Sequence, residues 1–202
     1  MEIDFTQLKP RDAYALLISV ILPRPIAWVS TLSAAGRGNL APYSFFQGVT
    51  ANPPTLLVVV ANKRDGGKKD TLRNIEETRD FTVSLVPFAL AEAMNATSAS
   101  LPHGESEFER FGVAAAASSR VRPPRVAASP VALECALDRV VTVGEGPLAG
   151  NIVLGRILHA QIDDSVLDAD GRPDPAKLDL VGRLGGEGYV RTRERFDLRR
   201  AE

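Results

Sequence analysis

Two long β-prone runs, Ala132 to Val143 and Asn151 to Ile162, lie on either side of the short segment Gly144-Glu145-Gly146-Pro147-Leu148-Ala149-Gly150. Such neighbours read as an antiparallel hairpin with a long connection. The three glycines lack the spacing of a dinucleotide-binding fingerprint, so they read as a turn between strands. Upstream, Ile26 to Thr31 is a β-prone run ending at the turn Ala35-Gly36-Arg37-Gly38. Asn39 to Val49 reads as the next strand. Thr55 to Ala61 is almost entirely apolar, which predicts a strand buried on both faces. Phe81 to Val86 is strand again. Helical spacing is confined to residues 10–22, closed by Pro23, to residues 70–79, with Leu72 and Ile75 on one face, and to residues 89–96. Residues 97–130 carry little pattern; Asp168-Ala169-Asp170-Gly171 is a turn and 177–181 one helical turn. Successive strands without regular helical crossovers predict a mainly β fold, an antiparallel barrel with peripheral helices. No repeat or long linker divides the chain, so residues 1–202 read as a single domain.

Charge narrows the partners. Lys plus Arg number 24 against 25 for Asp plus Glu, which gives no global attraction to nucleic acid or to an anionic membrane. The apolar run from Ala13 to Leu22 is too short to span a bilayer. The start Met1-Glu2-Ile3-Asp4 lacks a signal-peptide pattern. Cys135 is the lone cysteine, so no internal disulfide or Cys-rich zinc site can form, and a cytoplasmic protein is expected. His103 and His159 are isolated and give no metal spacing; His103 lies in a loop that can reach a substrate pocket. No Gly-x-Ser-x-Gly elbow supports a hydrolase.

Three segments can carry chemistry. The basic loop Lys63-Arg64-Asp65-Gly66-Gly67-Lys68-Lys69 runs into the helix Asp70-Thr71-Leu72-Arg73-Asn74-Ile75. A helix start offers free amides and a positive dipole end to an anion, and the loop is expected to be exposed. The competing reading is a solvated loop in which Asp70 or Thr71 caps the helix. The second segment is Pro23-Arg24-Pro25-Ile26-Ala27-Trp28-Val29-Ser30-Thr31, where two prolines stiffen the chain around Arg24. Core packing and a place beside a cofactor both remain open for Trp28. The third is Asn39-Leu40-Ala41-Pro42-Tyr43-Ser44-Phe45-Phe46. Its aromatics suit a core, while Pro42 inside a strand implies an edge or a bulge.

Taken in order, Pro23 to Thr31, Asn39 to Phe46, Lys69-Asp70-Thr71 with Asn74-Ile75, and Arg183-Leu184-Gly185-Gly186-Glu187-Gly188-Tyr189 resemble the flavin reductase-like, FMN-binding split-barrel proteins. The resemblance spans roughly residues 10 to 195. It implies a Greek-key split barrel, a homodimer and FMN at the subunit interface. It further implies that Trp28, Ser30 and Thr31 line the isoalloxazine and ribityl chain. Asn39 and the backbone of Ala41, Pro42, Tyr43, Ser44 and Phe45 would follow the ring edge. Lys69 and Thr71 would hold the phosphate, with Asp70 and Asn74 adjacent, and Tyr189 would approach from the partner subunit. Arg24 would join this set. The implied activity is hydride transfer from NAD(P)H, a transient co-substrate, to flavin N5, with reduced flavin serving a partner oxygenase. A non-catalytic FMN carrier or redox sensor is the alternative, and haem or pyridoxal phosphate on the same barrel a more distant one.

Overall fold

The computed structural model describes residues 1–201. Helix α1 (Pro10–Val20) leads into strands β1 (Arg24–Pro25), β2 (Ala27–Leu32), β3 (Gly38–Tyr43), β4 (Phe46–Ala51) and β5 (Pro54–Ala61). Helix α2 (Asp70–Thr78) and β6 (Asp80–Ser84) follow. The middle of the chain holds α3 (Ala91–Ala96), α4 (Glu107–Arg110), β7 (Ala115–Ala116) and β8 (Arg125–Val126). The long hairpin β9 (Val131–Val143) and β10 (Gly150–Ile162) comes next, then α5 (Pro175–Leu178), β11 (Val181–Arg183) and β12 (Tyr189–Arg191). Among the described residues no helix is long and apolar enough to cross a membrane.

Seven strands form one sheet in the order β3-β2-β6-β9-β10-β5-β4, every neighbour antiparallel. Its two edge strands, β3 and β4, are consecutive in the chain and separated only by Ser44 and Phe45. Three Cα steps of about 3.8 Å hold the ends of β3 and β4 within about 11 Å. The sheet therefore curls until its edges meet at this corner, giving a barrel. The Phe45 carbonyl accepts the Val59 amide at 2.8 Å and fixes the corner to β5. The single strand expected from Asn39 to Val49 is thus two strands, broken where the chain crosses between the edges. Pro42 lies on an edge strand, and the β2–β3 register from Ala27↔Tyr43 to Leu32↔Gly38 contains no bulge. The Leu40 amide points off the edge, to Glu107. Pro42 holds the same position two residues on, so its missing N–H costs the ladder nothing.

Alternation along β2 divides the interior. Ala27 and Val29 join Leu56, Val58, Val60, Phe81, Val83 and Val153 inside the barrel, and Leu72 and Ile75 of α2 pack into the same core. Trp28 points the other way, into a second core with Leu40, Val86, Met94 and Phe108. β5 departs from the expected double burial. Leu56, Val58 and Val60 are buried, while Leu57 and Val59 on its outer face are half-buried. Gly155 on β10 faces the core, where an added Cβ would lie 2.3 Å from Cζ of Phe81.

Buried polar groups tie the small β1-β11-β12 sheet and the loops to the barrel. Arg24, 5% exposed, donates from Nη1 to the Ile18 and Ile21 carbonyls at 2.8 and 2.7 Å and from Nη2 to Leu184 at 2.9 Å. It stitches the end of α1 to the loop after β11. Glu134 is fully buried and accepts the Ser119 and Arg120 amides. Glu107, also buried, accepts the Leu40 amide at 2.8 Å.

Two stability predictions follow from these contacts. Gly155→Ala forces its new methyl into a packed ring and should cost about 1–3 kcal/mol, read as a lower midpoint in urea. For Glu107, burial is the largest influence and raises its carboxyl pKa, partly offset by the Leu40 hydrogen bond. A raised folded value means the contribution is complete below the unfolded carboxyl range, about 4.3, and is lost as pH rises through the folded value. Glu107→Gln keeps an acceptor for Leu40 without the charge. The Tm of the variant minus that of the wild type should therefore grow between pH 4 and pH 7. A difference that stays flat with pH would show that the carboxylate is well solvated.

Candidate functional site

The loop before α2 is built to expose a helix start. Gly66, at φ +84°, closes a tight turn in which its amide reaches the Lys63 carbonyl at 3.0 Å and Lys63 reaches Gly67 at 2.8 Å. The chain then enters α2 with Lys69 at the N-cap position, where no side chain caps the helix. Neither Asp70 nor Thr71 acts as the expected cap. The first helical bond runs from the Arg73 amide to the Lys69 carbonyl. Among the described residues, the amides of Asp70, Thr71 and Leu72 have no partner.

Thr71 is the hub that seats this helix start on the barrel. It is 1% exposed, contrary to the expected exposed loop, and its hydroxyl accepts both Asn39 Nδ2 and the Tyr43 hydroxyl at 2.9 Å. Both bonds use the oxygen as acceptor, so its own proton is left to give. Burial pushes the Tyr43 phenol pKa up, so it stays protonated and remains a donor. One turn along, Asn74 Nδ2 donates to Thr31 Oγ1 at 3.0 Å. The expected residues Thr31, Asn39, Tyr43, Thr71 and Asn74 are thereby placed side by side, in two buried hydrogen-bonded groups under the first turns of α2.

The basic residues of the loop divide sharply. Lys68 is committed to Glu76 at 2.6 Å. Lys63 lies 4.0 Å from Asp70, whose Oδ1 also meets His103 Nδ1 at 2.9 Å and Arg73 at 3.7 Å. Lys69 has no carboxylate partner among the described residues, and its Nζ lies 5.5 Å from the Tyr43 ring centroid. The protein packed around the ammonium, and then the charge of Lys63, pull its pKa below the ordinary lysine value. The side chain still reaches solvent, which keeps it charged at neutral pH. Lys69 is therefore a free cation beside three free amides.

Other expected residues sit elsewhere. Arg24 lies 3.4 Å from Ser44 Oγ and 5.9 Å from the Phe45 ring centroid, so these three share the corner between β3 and β4, but its guanidinium is occupied with backbone carbonyls. Ala41 and Pro42 are half-exposed along the β3 edge. Trp28 is fully buried in the second core, and its indole N–H donates to Thr97 at 2.9 Å. The indole has no surface to give a ligand. Ser30 shares that orientation; it is fully buried, and its hydroxyl has no partner. Tyr189 packs its ring on Arg183 and donates to Asn95 at 3.1 Å, apart from the Thr71 network within one chain. Sequence reasoning did not place Arg37 or Arg73, which line a cleft along α2 together with Asn74 and His103. Arg73 was findable, because it lies four residues after Lys69 on the same helix. Among the described residues no cluster of His, Cys, Asp or Glu fits a metal.

Comparison with known proteins agrees with this arrangement. The model of the flavin reductase like domain matches residues 19–177. A protein of Deinococcus radiodurans is 42% identical over 204 residues, covering 98% of this chain and 88% of its own. Nitrilotriacetate monooxygenase component B from Bacillus cereus superposes with a TM-score of 0.93 at 34% identity, covering 98% of each chain. A split-barrel structure from Shewanella frigidimarina superposes with a TM-score of 0.85 over 100% of both chains; at 24% identity that likeness carries the fold alone. The seven-stranded antiparallel barrel is a split barrel, and the chain belongs to the flavin reductase-like family, a flavin-binding family.

Proposed function

We propose that this chain is an NAD(P)H-dependent FMN reductase acting as a cytoplasmic homodimer, with the FMN phosphate at the start of α2. The observation that carries the reading is the uncapped helix start beside the unpaired Lys69. A phosphate brings close to two negative charges, which match three free amides, a dipole end and one ammonium. Thr71 adds a hydroxyl proton that its two partners leave unused. Those residues fit the group.

The remaining contacts follow from the edge strand. The backbone of Ala41 to Tyr43 runs beside Thr71 on an edge strand with no further strand beyond it among the described residues, so its outward groups are available to a planar polar ring. Asn39 and Tyr43 are held rigid by Thr71, which fixes that edge before a ligand arrives. Trp28 takes no side-chain part in this proposal. FMN supplies the redox chemistry by accepting hydride at N5 from a nicotinamide. Without a Rossmann fingerprint, the chain must receive the nicotinamide on the exposed flavin face, and Tyr189 of a partner subunit would complete that face. The likeness to a monooxygenase component supports delivery of reduced flavin to an oxygenase.

The dimer reading has its own physical support. Directly paired residues share a sheet face, so the pairs Leu57↔Leu154, Val59↔Ile152 and Ile152↔Val141 join one outer apolar surface. Val143, 59% exposed, extends it. A continuous patch of this kind marks an interaction surface. Light scattering should give twice the chain mass for the wild type and one chain mass for Ile152→Glu with an unchanged circular dichroism spectrum. A monomeric wild type at micromolar concentration would remove the dimer from the proposal.

The phosphate grip is tested by comparing two flavins. The purified protein should be yellow, with two visible bands, and should oxidise NADH or NADPH when FMN is supplied. Stable FMN binding without that oxidation would make it a carrier instead. Lys69→Ala should weaken FMN roughly ten- to hundredfold, the equivalent of a charge-assisted hydrogen bond of roughly 1.5–3 kcal/mol. Riboflavin, which has no phosphate, should be little affected. Equal loss for both flavins would show that Lys69 does not act on phosphate. Thr71→Val is a poorer probe, because it also strands the Asn39 and Tyr43 donors.

A further inference from the structure

The flank of α2 holds a second group of cations that the FMN reading leaves unused. A cleft of about 450 Å³ runs along the helix, lined by Ser33, Arg37, Arg73, Asn74, Glu77 and His103. Arg37 has no carboxylate within ion-pair distance among the described residues. Its stem lies against Gly104, which sits at φ +84° and where a Cβ would stand 3.8 Å from Arg37 Cδ. Arg73 and His103 both touch the same oxygen of Asp70, at 3.7 and 2.9 Å. One shared oxygen leaves most of the guanidinium donors of Arg73 free. Glu77, one turn beyond Arg73, is the only acid lining the cleft.

The cleft adjoins the proposed phosphate position. From Lys69 to Arg73 the helix rises about 6 Å, so a group held at the helix start is followed closely by the cations of the cleft. Guanidinium groups recognise phosphate oxygens in a bidentate manner, which lysines cannot do. A carboxylate at the far end suits the hydroxyls of a ribose, as acidic residues do in dinucleotide sites of other folds.

We propose that this cleft takes the adenylate end of a dinucleotide, with its phosphate on Arg37 and Arg73 and the ribose hydroxyls donating to Glu77. The proposal rests on the flavin reading of the α2 start. Two ligands carry this group: FAD, in which a second phosphate follows directly on that of FMN, and the nicotinamide dinucleotide that reduces the flavin. Arg37 lies on an exposed turn, so Arg37→Ala should fold as the wild type does.

The experiment titrates wild type and Arg37→Ala with FMN and with FAD, following flavin fluorescence, and titrates FMN-loaded protein with ADP by calorimetry. If FAD is the source, the variant binds FAD about tenfold more weakly while FMN changes by less than about twofold. If the nicotinamide dinucleotide is the source, FAD binding is unchanged, and ADP binds FMN-loaded wild type with an affinity that falls about tenfold in the variant. Equal weakening of FMN and FAD would place Arg37 at the flavin phosphate and overturn the proposal. So would FAD and ADP binding that are both indifferent to Arg37. A wild type that binds neither flavin fails at the α2 start and overturns both readings, whereas normal FMN binding with an indifferent cleft overturns this one alone.

Discussion

The two residues between Tyr43 and Phe46 constrain everything else in the fold. A seven-stranded sheet has two edges, and here the chain must pass from one to the other across Ser44 and Phe45 alone. Only a sheet rolled almost into a closed barrel permits so short a path. Closure puts β3, β4 and the end of β1 around one corner, where Arg24 meets Ser44 and Phe45 and ties α1 and the Leu184 loop to the same place. Loss of Arg24 would remove three hydrogen bonds to part-buried carbonyls, each contributing about 0.5–1.5 kcal/mol. A closed barrel also leaves an end to be covered, and α2 covers it with Leu72 and Ile75.

Magnitudes decide what holds α2 in register. Burying Leu72 and Ile75 contributes about 1.5–3 kcal/mol each. The hydrogen bonds of Thr71 and Asn74 are buried, so their loss exposes the full cost of unsatisfied donors. The ion pairs on the outside, Lys68–Glu76 and Arg73–Asp70, are partly exposed and contribute at most about 1 kcal/mol. The helix is therefore placed by its inner face, and the outer charges are free to serve recognition. Asp70 draws Lys63, Arg73 and His103 toward itself, and Glu76 draws Lys68. Among the described residues, Lys69 at the helix start and Arg64 in the turn before it have no carboxylate partner.

The strands and helices with a strong local pattern were legible in the sequence. The 132–162 hairpin, the α2 periodicity and the edge position of Pro42 each follow from a short-range signal. The break at Ser44-Phe45 does not, because Asn39 to Val49 is uninterrupted β-prone sequence and only closure of the sheet demands a corner there. The double burial expected of Thr55 to Ala61 failed for a related reason. An apolar run states that a strand avoids water on both faces, but not whether its own chain or a second copy covers the outer one. The family pattern marked Thr31, Asn39, Tyr43, Thr71 and Asn74, which the fold sets side by side under α2, and Lys69, which stands over the Tyr43 ring. The same pattern marked Trp28 and Ser30, yet strand alternation turns both away, into the core beneath α3 and α4. Tyr189 is separated from the network by a long stretch of chain, and nothing local in its sequence states which subunit it serves.

The hairpin links the outer face of the barrel to the basic loop. Asn62 donates to the Gly146 carbonyl at 3.0 Å, and Asn151 on β10 donates to the Val60 carbonyl and to Asn62 Oδ1 at 2.9 and 2.8 Å. The Asn62 amide in turn reaches the Ala149 carbonyl at 2.9 Å. These bonds hold the tip of the hairpin against the segment that begins the Lys63–Lys69 turn. The same hairpin carries Val141, Val143 and Ile152, the apolar surface on which a second chain would pack. The hairpin tip therefore helps to fix where the basic turn starts. A turn that is positioned beforehand loses less conformational freedom when it grips an anion.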